Sequence, residues 1–232
     1  MKLNARRLAA IAAAAVSLQG SAAWATTVTD PVGDLLGSFS GPAGADLDVV
    51  SASAAYDSQN IRLSATMHGA VGTTAGGLYV WGVDRGAGTE FLHNLHVADP
   101  THQADVGAGV RFDAFIRLDN TGSGSVFLLS PDVKVISVTA LDSSMIRIVG
   151  DTISVNVPRW MLPGQGFDIA QYGYNVWPRV GGITSNDQVS DFAPDASTFT
   201  GSAVPEPGAW ALMLAGFAAT GMALRRRSSA LA

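Results

Sequence analysis

The sequence contains no cysteine in its 232 residues. This absence excludes disulfide bonds, a thiol nucleophile and any cysteine-ligated zinc site. Charged residues are also scarce, at 14% of the chain, and Glu90 and Glu206 are its only glutamates. The domain must therefore be stabilised by its apolar core, and the roughly 180 residues between the chain ends are enough for one core of useful size.

The first 25 residues have the composition of a secretory signal peptide. The segment opens with three basic residues, Lys2, Arg6 and Arg7. An apolar run follows at residues 8–18, which is too short to span a bilayer comfortably. Ala23 and Ala25 supply the small side chains that signal peptidase requires. We therefore predict export through the Sec machinery and cleavage after Ala25, with an uncleaved anchor as the alternative.

The charge of the chain is unevenly distributed. Residues 26–203 carry eight Lys and Arg against eighteen Asp and Glu, a net charge of −10, whereas the whole chain has −5. Such a surface repels a phosphate backbone, so nucleic acid is excluded as a partner. The same charge favours solubility outside the cell and makes divalent cations reasonable ligands.

The C-terminal segment combines an apolar stretch with a basic cluster. Residues 208–224 read GAWALMLAGFAATGMAL and contain no charge. As a helix this stretch would be about 25 Å long, the short end of the range for a membrane span. Arg225, Arg226 and Arg227 follow directly. Clustered arginines stay on the cytoplasmic side, so we predict one transmembrane helix with the preceding domain outside.

Pro205, Glu206 and Pro207 stand just before this helix. Each proline fixes its own φ and disfavours helix in the residue before it, so the triplet should be extended and accessible. The order of triplet, helix and arginine cluster within residues 204–232 resembles the PEP-CTERM sorting signal of Gram-negative bacteria. The alternative is a plain membrane anchor with a chance Pro-Glu-Pro sequence.

The resemblance implies a partner and a destination. Exosortase, a membrane transpeptidase, would recognise the Pro-Glu-Pro residues and cleave near them. Residues 208–224 would hold the chain in the inner membrane until then, and the arginines would act as the membrane stop. Cargo of this system is typically associated with extracellular polysaccharide and with biofilm or floc formation.

The segment between the two ends has the periodicity of β-strands. Ile61, Leu63, Ala65 and Met67 alternate with polar residues. Turn sequences at residues 57–60 and 150–151 predict two hairpins. About nine to eleven short strands joined by turns predict an all-β fold, a single β-sandwich or jelly roll over residues 26–203. The pattern also resembles, diffusely, extracellular modules of the DOMON and carbohydrate-binding type.

Acidic residues near the start of this segment predict a structural calcium site. Asp30, Asp34, Asp46 and Asp48 lie in a stretch, residues 26–61, that has no Lys or Arg. Asp46 and Asp48 are two apart and would share a face of an extended segment. Asp30 and Asp34 bracket a turn, and carboxylates from turns suit Ca²⁺. The alternative is that all four are solvated turn residues.

Two pairs of aromatic residues could form a sugar-stacking face. The two members of each pair are two residues apart, so they share one side of a strand: Tyr79 with Trp81, and Tyr172 with Tyr174. The alternative is that these rings belong to the core. His93, His96 and His102 are close in sequence, but we predict loop histidines rather than a zinc site because the surroundings read as extended.

These features predict an exported, non-catalytic protein of the cell envelope or extracellular matrix. No G-x-S-x-G sequence is present, and nothing singles out a pair of catalytic carboxylates. A carbohydrate-binding module that uses an aromatic face is the second hypothesis, and a secreted hydrolase is the third. Apart from the structural Ca²⁺, the sequence indicates no cofactor.

Overall fold

The computed structural model describes residues 25–92, 107–181, 186–204 and 214–218. In chain order the strands are β1 (Thr26–Thr29), β2 (Val49–Tyr56), β3 (Asn60–Met67), β4 (Gly77–Asp84), β5 (Thr89–Glu90), β6 (Arg111–Phe112), β7 (Ala114–Asp119), β8 (Gly124–Leu129), β9 (Val135–Ala140), β10 (Ile146–Val149), β11 (Thr152–Pro158), β12 (Gly173–Val180), β13 (Phe199–Thr200) and β14 (Ser202–Ala203). Single 3-10 turns occupy Ala45–Leu47, Ser143–Met145, Arg159–Met161, Ile169–Gln171 and Asn186–Gln188.

The strands form two six-stranded sheets. The first has the order β1-β2-β3-β11-β10, and β14 lies parallel to β2. The second has the order β13-β12-β4-β7-β8-β9, in which all neighbours are antiparallel. Strands β5 and β6 make a separate two-stranded ribbon. The all-β prediction is therefore confirmed.

Both predicted hairpins are present. Strands β2 and β3 pair on either side of the turn at residues 57–60, where the Asp57 carboxylate accepts hydrogen bonds from the backbone N–H groups of Gln59 and Asn60. Strands β10 and β11 pair around Gly150, whose φ of +61° suits glycine. The alternation in β3 is also observed, because its apolar residues are buried and Arg62 is exposed.

The main core lies between the two sheets. Its side chains come from β2, β3, β10 and β11 on one side and from β4, β7, β8, β12 and β13 on the other. Aliphatic residues such as Ile61, Ile153 and Ile116 are completely buried there. The two sheets thus share one continuous apolar interior.

The second sheet is buried on its outer face as well. Val80, Phe115 and Trp177 point away from the main core and pack in a second apolar cluster. Loop residues cover this cluster, among them Leu36 and Phe192. This double burial explains why almost every residue of β4 and β12 is buried, without polar alternation.

Strand β9 is the exception to this coverage. It is the terminal strand of the second sheet, and Val135, Ile136 and Val138 are 46%, 64% and 56% exposed. Among the described residues, its backbone pairs with β8 alone. Within that part of the chain, an apolar strand edge is therefore left unpaired.

The predicted export and sorting segments lie almost entirely outside the described residues. This applies to Ala23 of the signal peptide, to Pro205, Glu206 and Pro207 and to the three terminal arginines. The histidines at 93, 96 and 102, within the domain, also lie outside the described residues. Residues 214–218, within the predicted transmembrane helix, are helical. In the part of the chain that is described, no helix has the length and apolarity needed to cross a membrane.

We expect the shared core to dominate stability. Replacing Ile153 of β11 by Ala should lower the free energy of unfolding by about 2–5 kcal/mol, because the substitution leaves a cavity in a packed interior. The matched control is Ile136→Ala on β9, which should change it by less than about 0.5 kcal/mol because that side chain is solvated. Urea unfolding followed by circular dichroism measures both, and equal losses would contradict this placement of the core.

Candidate metal centre

Five aspartates converge where the start of the first sheet meets the edge of the second. Asp30 follows β1, Asp34 lies in the turn after it, and Asp48 immediately precedes β2. Asp191 and Asp195 belong to a late segment that runs beside β12, where Ala193 forms an antiparallel bridge with Val176. The centre is therefore built from both ends of the domain and from both sheets.

The carboxylates form two overlapping groups that share Asp34. One contains Asp34, Asp48 and Asp191, and the other contains Asp30, Asp34 and Asp195; within each group the nearest carboxylate oxygens lie within 4.8 Å of one another. Asp48 and Asp191 are almost fully buried, whereas Asp30, Asp34 and Asp195 are half-buried. We call Asp34, Asp48 and Asp191 the inner group and the other two the outer pair.

Backbone hydrogen bonds fix the two most buried carboxylates. Asp191 accepts from Val49 N–H at 2.6 Å through Oδ2 and from Phe192 N–H at 2.7 Å through Oδ1. Asp48 Oδ2 accepts from Gly33 N–H at 2.9 Å and lies 3.3 Å from His68 Nδ1. The Val49 bond joins the first residue of β2 to the segment beside β12, so it connects the two sheets directly.

Several oxygens of the centre have no partner. Buried oxygens without a hydrogen bond in the described part of the chain belong to four of the five aspartates: Asp30 Oδ2, Asp34 Oδ1, Asp48 Oδ1 and Asp195 Oδ1. The most telling is Asp48 Oδ1, because the residue as a whole is only 3% exposed. A buried polar atom without a partner costs free energy unless something outside the protein satisfies it.

Ionising these carboxylates is also unfavourable, because they are buried and close to one another. Burial raises the pKa of Asp30 to about 8, and the neighbouring charges of Asp34, Asp195 and Asp48 add to the rise. Burial likewise raises the pKa of Asp191 well above its usual range. The pKa values of Asp34, Asp48 and Asp195 move in the same direction, with burial as the largest cause. Without a counter-ion, the five groups resist full ionisation together.

Two other buried aspartates show how this fold treats a structural carboxylate. Asp113 Oδ1 lies 2.8 Å from Nε of buried Arg85. Asp46 accepts hydrogen bonds from Thr74 and from the Tyr79 hydroxyl, and these bonds outweigh burial, so that its pKa is lowered. Both carboxylates are fully compensated by protein groups. The five-aspartate centre has no comparable compensation among the described residues.

The placement of Asp46 corrects the predicted calcium site. The expected shared face of Asp46 and Asp48 assumed an extended segment, but Ala45–Leu47 is a 3-10 turn, so the two side chains diverge. Asp46 binds the loop at Thr74, and it is not one of the five converging carboxylates. Asp30, Asp34 and Asp48 do converge, as the sequence suggested.

Sequence reasoning missed Asp191 and Asp195. They lie more than 140 residues from Asp48, and no spacing rule connects the two regions. The local sequence SDFAPD does place two acids on either side of a proline, close to a strand that reads as buried. That signal is weak, because the same pattern is common in solvated turns.

The predicted sugar-stacking residues are core residues. Tyr79, Trp81 and Tyr174 are 0% exposed and Tyr172 is 3% exposed. All four rings pack between the two sheets, because the paired positions face inward. No ring face is left for a sugar, so the stacking prediction for these four residues is wrong. Tyr172 and Tyr79 instead use their hydroxyls to bond Leu162 and Asp46.

Comparison with known proteins identifies the tail. Residues 203–227 match the PEP-CTERM protein-sorting motif. The predicted resemblance is thereby confirmed, and the motif indicates an exported, envelope-directed protein that exosortase sorts. No curated protein and no solved structure matches the chain. The match covers only the tail, so the role of the two sheets has to be inferred from their own residues.

The raised pKa values predict an unusual pH dependence for the metal-free protein. A carboxyl whose folded pKa exceeds its unfolded value contributes stability below the unfolded pKa and loses it as the pH rises through the folded pKa. As the pH rises from 3.8, the usual pKa of Asp, to about 8, the pKa of Asp30, the melting temperature of chelator-treated protein should therefore fall. Thermal unfolding across this range measures the slope.

Asp30→Asn should flatten that slope because it removes a titrating group from the centre. Asp132→Asn serves as the control, since the Asp132 side chain is 62% exposed and pairs only with Lys134 among the ion pairs of the described residues. A melting temperature that rises with pH in the metal-free wild type would contradict the arrangement described here.

Proposed function

We propose that this chain is a non-catalytic structural protein of the cell envelope or extracellular matrix, delivered there by the exosortase system. The single observation that carries the proposal is the sorting motif at residues 203–227. The chain is exported, held in the inner membrane by residues 208–224, and processed near Pro205, Glu206 and Pro207. Its destination is the exopolysaccharide of a biofilm or floc, as for other cargo of this system.

The buried polar groups support a structural role rather than catalysis. Arg85 pairs with Asp113 and donates to the Pro163 carbonyl at 2.8 Å, which ties the end of β4 to a loop. Asp46 ties the turn before β2 to the loop at Thr74. In the described ranges each of these groups serves a contact within the fold. A general base would instead be held within reach of a substrate in a cleft.

The open edge of β9 supports a protein that associates with copies of itself. Natural sheets protect their edges with charges, prolines or very short strands. The other terminal strand of this sheet, β13, has only two residues, whereas β9 has six and none of them is charged. Apart from the register irregularity that β9 shows opposite Leu128 and Leu129, its backbone can therefore accept another strand.

The charges at the two ends of β9 favour a second copy as that strand. In an antiparallel pair centred on Val138, Lys134 of one copy stands opposite Asp142 of the other, twice by symmetry. Ile136 and Val138 of both copies then form one apolar strip across the joint. Both side chains are exposed in the single chain, at 64% and 56%, so the pairing buries apolar area that is otherwise solvated.

The carbohydrate-binding alternative has no specific support from this geometry. Its four proposed rings are in the core. Association with polysaccharide would then be a property of the assembled matrix rather than of an aromatic face on one copy. A hydrolase is the third hypothesis, and burial and mutual repulsion explain the raised pKa values of the converging aspartates without a catalytic role.

Processing in the tail is tested by the mass of the mature protein from cells and medium. We expect the wild type to end near Pro205–Pro207 and the Glu206→Ala variant to keep its C-terminal segment in the membrane fraction. The matched control is Glu90→Ala, which removes the only other glutamate and should leave processing unchanged. A wild-type mass that still includes Arg225–Arg227 would contradict exosortase processing.

Self-association is tested by sedimentation velocity of the protein from the medium. Ile136→Lys should shift a dimer to the monomer, because it places charge on the apolar strip. Val149→Lys is the control, since Val149 is 55% exposed at the end of β10 and lies on the other sheet. A wild type that is monomeric at all concentrations, or equal effects of both variants, would contradict pairing through β9.

A further inference from the structure

We propose that the five-aspartate centre binds Ca²⁺ and that the bound ion joins the two sheets. Asp34, Asp48 and Asp191 are the inner ligands, and Asp30 and Asp195 close the site from the solvent side. This inference does not depend on the proposed matrix role, because it follows from the side chains of the folded domain alone.

The spacing of the carboxylate oxygens fits Ca²⁺. Ca²⁺ accepts six to eight oxygen ligands at about 2.3–2.6 Å, so two oxygens on one ion are at most about 5 Å apart. The oxygens of each group satisfy this limit, since all lie within 4.8 Å of one another. The donors come from turns and strand ends rather than from one regular element. Such irregular sets suit the flexible coordination of Ca²⁺.

One buried oxygen of Asp48, Oδ1, has no partner among the described residues. Its other oxygen already accepts from Gly33 N–H, and its backbone position is fixed at the start of β2. The residue is 3% exposed, so water at the surface cannot reach Oδ1 freely. A cation held by the inner group would give Asp48 Oδ1 the partner that no described residue supplies.

The centre also has an excess of negative charge. The ion pairs of the described residues bring one basic group to the centre, His68, whose side chain is 52% exposed. Five carboxylates in this space would repel one another, and a divalent cation removes most of that repulsion. The buried pair of Arg85 and Asp113 shows that the fold can place an arginine beside a carboxylate where one is needed. Among the described ion pairs, no arginine or lysine reaches the five aspartates, so the site stays acidic.

The donor set selects among metals. All five side chains offer hard oxygen, which disfavours Zn²⁺ and Cu²⁺. Mg²⁺ demands compact octahedral geometry and usually keeps several waters with only one or two carboxylates. The inner group alone supplies three carboxylates, which exceeds that need and fits the larger coordination number of Ca²⁺. Affinity in the range of about 10⁻⁴–10⁻³ M, typical of extracellular modules, would suffice outside the cell.

The structural consequence follows from where the ligands lie. Asp30 and Asp34 fix the exit from β1 and Asp48 fixes the entry into β2, while Asp191 and Asp195 fix the segment beside β12. That segment also contributes Phe192 to the outer apolar cluster. Binding an ion there stabilises the junction of the two sheets, so the effect should appear in global unfolding and not only locally.

The test is the thermal unfolding of the full chain in detergent, with Ca²⁺ or after chelation. At a Ca²⁺ concentration about one hundred times the Kd, we expect the melting temperature to rise by about 5–10 °C. Asp48→Asn and Asp191→Asn should abolish most of that shift. After chelation, Asp48→Asn should melt no lower than the wild type, because it removes one repelling charge at constant shape and keeps an amide oxygen to accept from Gly33 N–H; this separates loss of binding from loss of folding. Asp191→Asn should melt lower, because both Asp191 oxygens accept from backbone N–H groups and an amide can keep only one of these bonds.

Asp46→Asn is the matched control. It changes a buried aspartate two residues from Asp48, and it should lower stability while leaving the Ca²⁺-dependent shift unchanged, because Asp46 faces the loop at Thr74. Mg²⁺ at equal concentration should give a smaller shift. The proposal is overturned if wild-type protein melts at the same temperature with Ca²⁺ and with chelator, or if Asp48→Asn keeps the full shift.

Discussion

The junction between the two sheets depends on how five neighbouring aspartates are neutralised. Three of them lie between β1 and β2 of the first sheet, and the other two lie on the segment that runs along the edge of the second. Hydrogen bonds such as that from Val49 N–H to Asp191 hold the carboxylates in place but do not compensate their charge. The same residues that align the sheets therefore also repel one another. In our proposal a bound cation removes this conflict and leaves the carboxylates ionised, whereas protonation would remove their charge instead.

Away from this junction, the packing of apolar side chains stabilises the fold. The interior between the sheets is apolar and continuous, and the second sheet has another apolar cluster on its outer face. Loops that cover the outer cluster include the turn after β1, through Leu36, and the segment after Asp191, through Phe192. The acidic centre thus lies where two covering segments meet, and neutralising it also secures the cover of the second sheet.

Much of the architecture could be predicted from local patterns. Alternation in β3 and the turns at 57–60 and 150–151 identified hairpins, because register and burial of a half-buried antiparallel strand follow from period two. The tail was recognisable because three features occur in a fixed order near the chain end. Neither inference required knowledge of distant contacts.

The acidic centre could be predicted only in part. Asp30, Asp34 and Asp48 stood out because no basic residue lies near them in sequence. Asp46 was wrongly assigned to the site because a 3-10 turn breaks the alternation of the chain there. Asp191 and Asp195 were missed because they come close to the other aspartates only through the pairing of β12 with a distant segment. The aromatic residues of β4 and β12 were ambiguous for a related reason. Whether a ring in a strand faces solvent or the interior depends on what covers the sheet, and here both faces are covered.

The most direct measurement of the central claim is anomalous X-ray diffraction from crystals of the protein grown with millimolar Ca²⁺. The account predicts one strong anomalous peak at about 2.3–2.6 Å from carboxylate oxygens of Asp34, Asp48 and Asp191. A centre without such a peak under these conditions would contradict it. The five carboxylates would then have to be neutralised by their own protons, and the two sheets would be joined without an ion.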